Sequence, residues 1–253
     1  MAKLEYKDLL DAGVHFGHLT RKWDPRMAPY IFMEKNGIHI IDLNKTLACL
    51  DEASNAIKQV VRSGKKVMFV ATKKQAKDLV AEEAKRLNMP FVTERWLGGM
   101  LTNFATIRKS LKKMSGLDKL MKEEAYTNLA KKERLMVSRQ KDKMENVLGG
   151  IADLSRLPAA LFIVDIKREH IAIAEAKKLG IPVYALVDTN SNPNEVEFPI
   201  PANDDAFKSV SLLVKAFGAA IEEGLSERKK DKEEAKLSEE EEAKKAVDAE
   251  TKE

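Results

Sequence analysis

Short apolar runs, each closed by a turn residue and followed by a helical period, dominate this sequence and restrict its architecture. Val67-Met68-Phe69-Val70-Ala71, Ala159-Ala160-Leu161-Phe162-Ile163-Val164 and Val183-Tyr184-Ala185-Leu186-Val187 are apolar without alternation. A strand that is apolar on both faces has to be covered on both, which is the condition of a parallel sheet between helical layers. Helical segments fall between the runs. Asp42 or Asn44 can cap a helix to about Arg62, with Leu47, Leu50, Ala53 and Ile57 on one face. Thr72 can cap a second helix over 73–87, Gly180 stops a third over 169–179, and a fourth spans about 204–223. Pro90-Phe91-Val92-Thr93 and a stretch near Phe198-Pro199-Ile200 complete the strands. Right-handed crossovers then predict an α/β fold with a flavodoxin-like doubly wound parallel sheet.

The N-terminal part begins with a short amphipathic helix over 4–12, followed by a loop containing Pro25 and Pro29. Tyr30-Ile31-Phe32-Met33 and Ile38-His39-Ile40-Ile41 flank Lys35-Asn36-Gly37, and the Asn and Gly tolerate the positive φ of a hairpin turn. Residues 101–157 interrupt the strand–helix rhythm. Phe104, Ile107, Leu111, Met114, Leu117 and Met121 recur at steps of three and four. Leu129, Leu135 or Met136, Met144, Val147 or Leu148, and Ile151 do so more raggedly, with a turn at about 125–128. Two narrow apolar stripes predict an inserted antiparallel coiled-coil helical hairpin. The expected organisation is therefore a discontinuous globular domain (1–100 and 158–225), a protruding basic hairpin (101–157) and a disordered charged tail (226–253).

Charge supports that division. The whole chain carries 44 Lys and Arg against 40 Asp and Glu, whereas residues 101–147 alone carry 12 against 6. A local excess of this kind is a candidate polyanion contact, although a solvated helical face gives the same composition. The tail holds 8 basic and 11 acidic residues and almost nothing apolar larger than Ala, too little burial to offset the entropy of ordering. No apolar window is long enough for a transmembrane helix, and the charged N-terminus has no signal-peptide core. The single cysteine, Cys49, reads as a packed thiol in a reducing cytoplasm.

Catalytic motifs are missing. There is no Walker-type phosphate loop, no G-x-G-x-x-G, no G-x-S-x-G and no C-x-x-C. The first core strand is followed by Thr72-Lys73-Lys74-Gln75 instead of a glycine-rich turn. An enzyme or sugar-phosphate binder on this fold would need a ligand at the strand ends near Thr72, Asp165 and Asp188. A protein-binding adaptor is a further alternative. Arg21-Lys22-Trp23 with Arg26, and Arg95-Trp96, pair aromatic with basic side chains that can stack on bases and grip phosphates, while packing is the alternative for each tryptophan. On the hairpin the candidate RNA contacts are Arg108, Lys109, Lys112, Lys113, Lys131, Lys132 and Arg134. His18, Asp188, Asp204 and Asp205 could converge on one rim of the sheet as ligands of a structural or interfacial zinc ion. Helix capping by Asp204 and turn formation by Asp188 explain the same carboxylates without a metal.

Several long segments together carry a resemblance. They are Gly13-Val14-His15-Phe16-Gly17-His18, Trp23-Asp24-Pro25-Arg26-Met27, Ile38-His39-Ile40-Ile41-Asp42-Leu43, Arg95-Trp96-Leu97-Gly98-Gly99-Met100-Leu101-Thr102-Asn103, Gly180-Ile181-Pro182-Val183 through Asp188-Thr189-Asn190, and Ile200-Pro201-Ala202-Asn203-Asp204. In this order and spacing the chain resembles the bacterial-type small-subunit ribosomal protein S-two family over about residues 4–225. The resemblance implies a non-catalytic structural component of the small ribosomal subunit, with a flavodoxin-like domain and a protruding coiled-coil hairpin. It implies contact with 16S rRNA and neighbouring small-subunit proteins, and help in recruiting ribosomal protein S-one for translation initiation. It also implies a cytoplasmic location, no membrane partner, no small-molecule substrate and no required cofactor.

Overall fold

The computed structural model describes residues 4–123, 126 and 129–250, with side chains through residue 231 and at 233. The chain opens with α1 (Tyr6–Asp11) and a three-stranded antiparallel sheet of β1 (Phe16–Leu19), β2 (Ile31–Lys35) and β3 (Ile38–Ile41), in order β1-β3-β2. Asn36 (φ 54°) and Gly37 (φ 73°) make the tight turn between β2 and β3, as their positive-φ tolerance predicts. The sequence reading places a loop where β1 runs. Its four residues are all partly or fully exposed, so they carry no apolar signature, and β1 forms by pairing with β3.

Then come α2 (Leu43–Arg62), β4 (Val67–Val70), α3 (Lys77–Arg86), β5 (Phe91–Val92), α4 (Phe104–Leu120), α5 (Lys131–Leu148), β6 (Ala160–Val164), α6 (His170–Leu179), β7 (Val183–Val187), β8 (Phe198–Pro201) and α7 (Phe207–Glu250). The fold is mixed α/β. Five strands form one parallel sheet in the order β5-β4-β6-β7-β8. Every residue of β4, β6 and β7 is buried, which is what unbroken apolar runs require. Alternate residues feed two separate cores. Val67, Phe69, Phe162, Tyr184 and Leu186 pack with α2, α3 and α7. Met68, Val70, Leu161, Ile163 and Ala185 pack with α6, the root of α4 and α5, and the loop around Trp96. On the first face, the Phe162 and Phe217 rings stack at 4.2 Å.

Local chemistry sets the helix boundaries. The Asp42 side chain caps α2 by accepting from the Asn44 N–H at 3.0 Å. Cys49 lies beside the buried stripe of α2 and is half-buried, a correction to its reading as a core thiol. α3 starts at Lys77, not Lys73, because Thr72 does not cap it: its N–H and hydroxyl donate to Glu169 Oε1 at 3.0 and 2.5 Å. α7 continues past Glu223 to Glu250, so the segment expected to be disordered is helical through that residue. Lys58 with Glu227 (2.6 Å) and Arg62 with Asp231 (2.7 Å) tie the start of that extension to α2. Residues 251–253 lie outside the described residues. None of the described helices is long and apolar enough to cross a membrane.

One glycine is required by a close approach. A Cβ at Gly150 would lie 2.2 Å from the Phe91 carbonyl oxygen and 2.8 Å from its ring. Gly150→Ala is expected to destabilise the fold by about 1–3 kcal/mol, since backbone has to move. A urea denaturation curve with an unchanged midpoint would contradict this packing.

Candidate nucleic-acid interface and metal-ligand cluster

α4 and α5 pack side by side and leave the body between β5 and β6. Their shared seam is buried only at the root, through Ile107, Leu111 and Met114 of α4 and Leu148 of α5, with Met144 and Val147 partly buried. Leu135 or Met136 is expected in the seam, but both are exposed, at 50% and 63%. The turn expected at 125–128 lies outside the described residues except for Tyr126. A seam this narrow leaves most of each helix in water. Arg108, Lys109, Lys112, Lys113, Lys131, Lys132 and Arg134 are all exposed, and none forms an ion pair among the described residues. Lys141 does, with Asp118 at 2.7 Å, bridging the two helices. Unpaired cations on a rod keep their full attraction for phosphate, because no partner has to be displaced.

Arg21, Lys22, Trp23, Arg26 and Arg95 are exposed as well. Trp23 lies against His39 in a tilted contact, with 4.8 Å between ring centroids, yet keeps more than a third of its surface in solvent. Trp96 is different, and its expected role as an RNA contact is corrected. It is buried, and its Nε1 donates to Glu175 Oε1 at 3.0 Å, so its ring cannot stack on a base.

Glu175, which organises the loop at the base of α4, is the residue that sequence reasoning misses. Its buried carboxylate accepts from Trp96 Nε1 and the Gly99 N–H (2.7 Å) on Oε1, and from the Leu101 N–H (2.9 Å), the Thr102 N–H (3.0 Å) and the Thr102 hydroxyl (3.1 Å) on Oε2. Burial alone would raise its pKa, but the donors from Thr102, Trp96, Leu101 and Gly99 outweigh it and lower the value. One anion thus fixes the loop from which α4 emerges. Glu175 is a lone acid in the apolar run Ile171-Ala172-Ile173-Ala174-Glu175-Ala176, on the face that buries Ala172 and Ala176, and that isolation is the signal that could have found it.

The second cluster lies at the carboxyl ends of β4, β6 and β7. His18 from β1 reaches it because the Gly17–His18 backbone packs on Thr189: the His18 N–H donates to Thr189 Oγ1 at 2.8 Å. A Cβ at Gly17 would meet that side chain at 2.6 Å. His18 Nδ1 is 3.1 Å from Asp188 Oδ2, and its Nε2 is 3.4 Å from Asp205 Oδ2. The hydrogen bond to Asp188 raises the imidazole pKa. His18, Asp188 and Asp204 each offer a ligand atom within 4.8 Å of the others. Three of the four residues expected at this rim therefore bring ligand atoms together, while Asp205, half exposed, lies beside them on His18 and Lys73.

Lys73, unassigned in the sequence reading, shares the rim. Its Nζ is 2.6 Å from Asp205 Oδ1, 2.8 Å from Asp204 Oδ1 and 3.6 Å from Asp165 Oδ2. Burial would lower the Lys73 pKa, but Asp204, Asp205 and Asp165 raise it to about 12. Asp204 is fully buried, and burial with the neighbouring Asp188 and Asp165 raises its pKa to about 7. Asp204 Oδ2 has no partner among the described residues, although Oδ1 is held by Lys73. A buried carboxylate oxygen without a donor, beside an imidazole and a second buried carboxylate, matches the donor set of a divalent cation.

Comparison with known proteins is consistent across the chain. The family model described as Ribosomal protein S2 matches residues 9–224. A Cytophaga hutchinsonii protein named small ribosomal subunit protein uS2 is 74% identical over 246 residues, covering 97% of each chain. Proteins of the same name from Flavobacterium johnsoniae and Phocaeicola vulgatus are 63% and 62% identical, covering 91% and 92% of this chain and 91% and 83% of their own.

Proposed function

The chain belongs to the ribosomal protein S2 family, and from that premise we propose that it is a structural, non-enzymatic constituent of the small ribosomal subunit that docks on 16S rRNA in the cytoplasm. The observation that carries the reading is the set of exposed cations along α4 and α5, from Arg108 to Lys113 and from Lys131 to Arg134, that form no ion pair among the described residues. In this reading residues 1–100 and 158–225 are the globular body and 101–157 the arm. The strand order supports a flavodoxin-like doubly wound body, with core strands running 2-1-3-4-5. Lys and Arg on the arm displace counterions from phosphates, while the burial of Trp96 favours recognition of backbone shape over base stacking there. Arg21, Lys22, Trp23, Arg26 and Arg95 add a smaller contact on the body.

Help in recruiting ribosomal protein S-one is the protein-binding half of the proposal. An apolar surface supports it: Phe32 is 70% exposed, with Phe16 and Met33 also exposed, on the N-terminal sheet. Small subunits rebuilt without this chain are expected to retain less S-one on a sucrose gradient. Equal retention would remove that half of the proposal.

His18, Asp188, Asp204 and Asp205 would hold a structural or interfacial zinc ion, which would supply a cross-link between the N-terminal sheet and the rim of the main sheet. Zinc titration by calorimetry is expected to show binding that His18→Ala weakens at least tenfold, the scale of losing one ligand's support. Equal affinity in both proteins would exclude His18 as a ligand and leave Asp188 as the acceptor of the Thr189 turn and Asp204 as the partner of Lys73, the expected helix-capping role of Asp204 having gone to Asn203.

A further inference from the structure

We propose that Lys73 sets the ion selectivity of the cluster at the carboxyl ends of the strands. Its tethered ammonium fills the oxygen-only half of that cluster, and the half left for a metal ion is the one that contains an imidazole. The proposal rests on the zinc reading above and deepens it. The two halves share Asp204. One is Asp165, Asp204 and Asp205, whose Oδ2, Oδ1 and Oδ1 atoms lie 3.6, 2.8 and 2.6 Å from Lys73 Nζ. The other is His18, Asp188 and Asp204, whose ligand atoms lie within 4.8 Å of one another. Asp204 is fully buried and meets Lys73 through Oδ1 alone, while its Oδ2 has no hydrogen-bond partner among the described residues. Asp205, half exposed, joins the halves, with Oδ1 on Lys73 and Oδ2 3.4 Å from His18 Nε2.

Three carboxylate oxygens around one point are the surroundings of a hard cation, which takes oxygen ligands. A lysine ammonium is a compact point charge with three donors, so it fits the same point with one positive charge where a metal ion brings two. The two shorter distances, 2.6 and 2.8 Å, come close to the roughly 2.3–2.6 Å of calcium–oxygen contacts. The backbone of Lys73 is held on both sides. Thr72 before it donates its N–H and hydroxyl to Glu169, and the Lys73 carbonyl accepts from the Ala76 and Lys77 N–H groups at 3.0 and 2.9 Å. Burial works against the charged form, but Asp204, Asp205 and Asp165 raise the Lys73 pKa to about 12, so the ammonium stays charged at neutral pH.

Selectivity follows from what Lys73 leaves over. Without it, Asp165, Asp188, Asp204 and Asp205 would face one another across the rim and attract any divalent cation. With it, three of those carboxylates have an oxygen turned to the ammonium. The donors that remain together are a His18 ring nitrogen, an Asp188 oxygen and Asp204 Oδ2. A mixed imidazole and carboxylate set suits zinc, which accepts four ligands of either kind. Two carboxylate oxygens fall short of the about six oxygens that calcium takes.

The test is calorimetric titration of the full chain with calcium chloride and, separately, zinc chloride, for wild type and Lys73→Gln. The variant is expected to bind one calcium ion more than the wild type, with a Kd of about 10⁻⁴ to 10⁻³ M, the range of weak protein calcium sites. Acidic residues elsewhere are common to both proteins, so the difference reads the rim. Losing the ammonium leaves three carboxylates facing one another, so thermal melts with and without calcium accompany the titration. Calcium is expected to raise the melting temperature of Lys73→Gln and to leave that of the wild type unchanged. A double variant, Lys73→Gln with Asp165→Asn, removes one of the three carboxylates and is expected to lose the calcium response. A Lys73→Gln protein that calcium neither binds nor stabilises would overturn the proposal and leave the zinc reading to its own His18→Ala test. So would a wild type that takes up as much calcium as the variant. Calcium gained by Lys73→Gln with no zinc bound by the wild type would sink the zinc reading and still support Lys73 as the resident cation of the rim.

Discussion

Glu175→Gln is expected to cost the folded protein about 2–4 kcal/mol, far more than a surface carboxamide exchange. The carboxylate accepts five hydrogen bonds on its two oxygens, and a carboxamide presents N–H donors where one oxygen was. Either orientation leaves two or three buried donors facing a donor, each an unmet partner of roughly 1–3 kcal/mol before relaxation. The sign of the pH dependence separates this cause from generic damage. The folded pKa of Glu175 is depressed, so its stabilisation is present above the ordinary carboxylate value of 4.5 and is lost as pH falls through the folded pKa. The stability gap between wild type and Glu175→Gln, measured by urea denaturation, is therefore wide at neutral pH and narrows in acid. A gap independent of pH would contradict the account. Because the pinned loop feeds α4, the same variant is expected to weaken rRNA binding even though residue 175 is buried in the body.

The second large effect concerns the arm. Reversing Lys112, Lys113, Lys131 and Lys132 to glutamate is expected to reduce rRNA affinity by on the order of 1,000-fold or more near 0.1 M salt, with a slope shallower by about 3 to 4. All four are exposed and unpaired among the described residues, so the melting of the body should barely move. Filter binding and subunit reconstitution read the first effect and a thermal melt the second. Normal incorporation with a normal salt slope would show that the arm is not an anchor.

How much of this was legible depends on what kind of force places each element. The core strands and the helices between them follow from burial on two faces, a condition that composition records directly in runs such as Val67 to Val70. The convergence of His18, Asp188 and Asp204, with Asp205 beside them, was legible too, because parallel topology sends all strand ends to one rim. Lys73 belongs to the same rim by the same logic, one residue beyond the Thr72 that was read as a cap. What the sequence hides is pairing between distant polar groups. Thr72 looks like a helix cap but spends its donors on Glu169, which is why α3 starts late. Trp96 beside Arg95 looks like an RNA contact, and only the position of Glu175 shows it turned inward. β1 is held by its neighbour, not by any pattern of its own. The helical extension after Glu223 has a Glu/Lys/Ala composition that permits helix without any burial, and pairs to Lys58 and Arg62 bring its first turns against α2.

The central claim is that this protein resides on the small ribosomal subunit and is held there by phosphate contacts. Sedimenting cell lysate through sucrose gradients in low and in concentrated salt, with detection of this chain in each fraction, tests it most directly. The account predicts that the chain travels with the small subunit in low salt and moves toward the top of the gradient as salt rises. A chain found free at low salt, or one whose association is indifferent to salt, would contradict it.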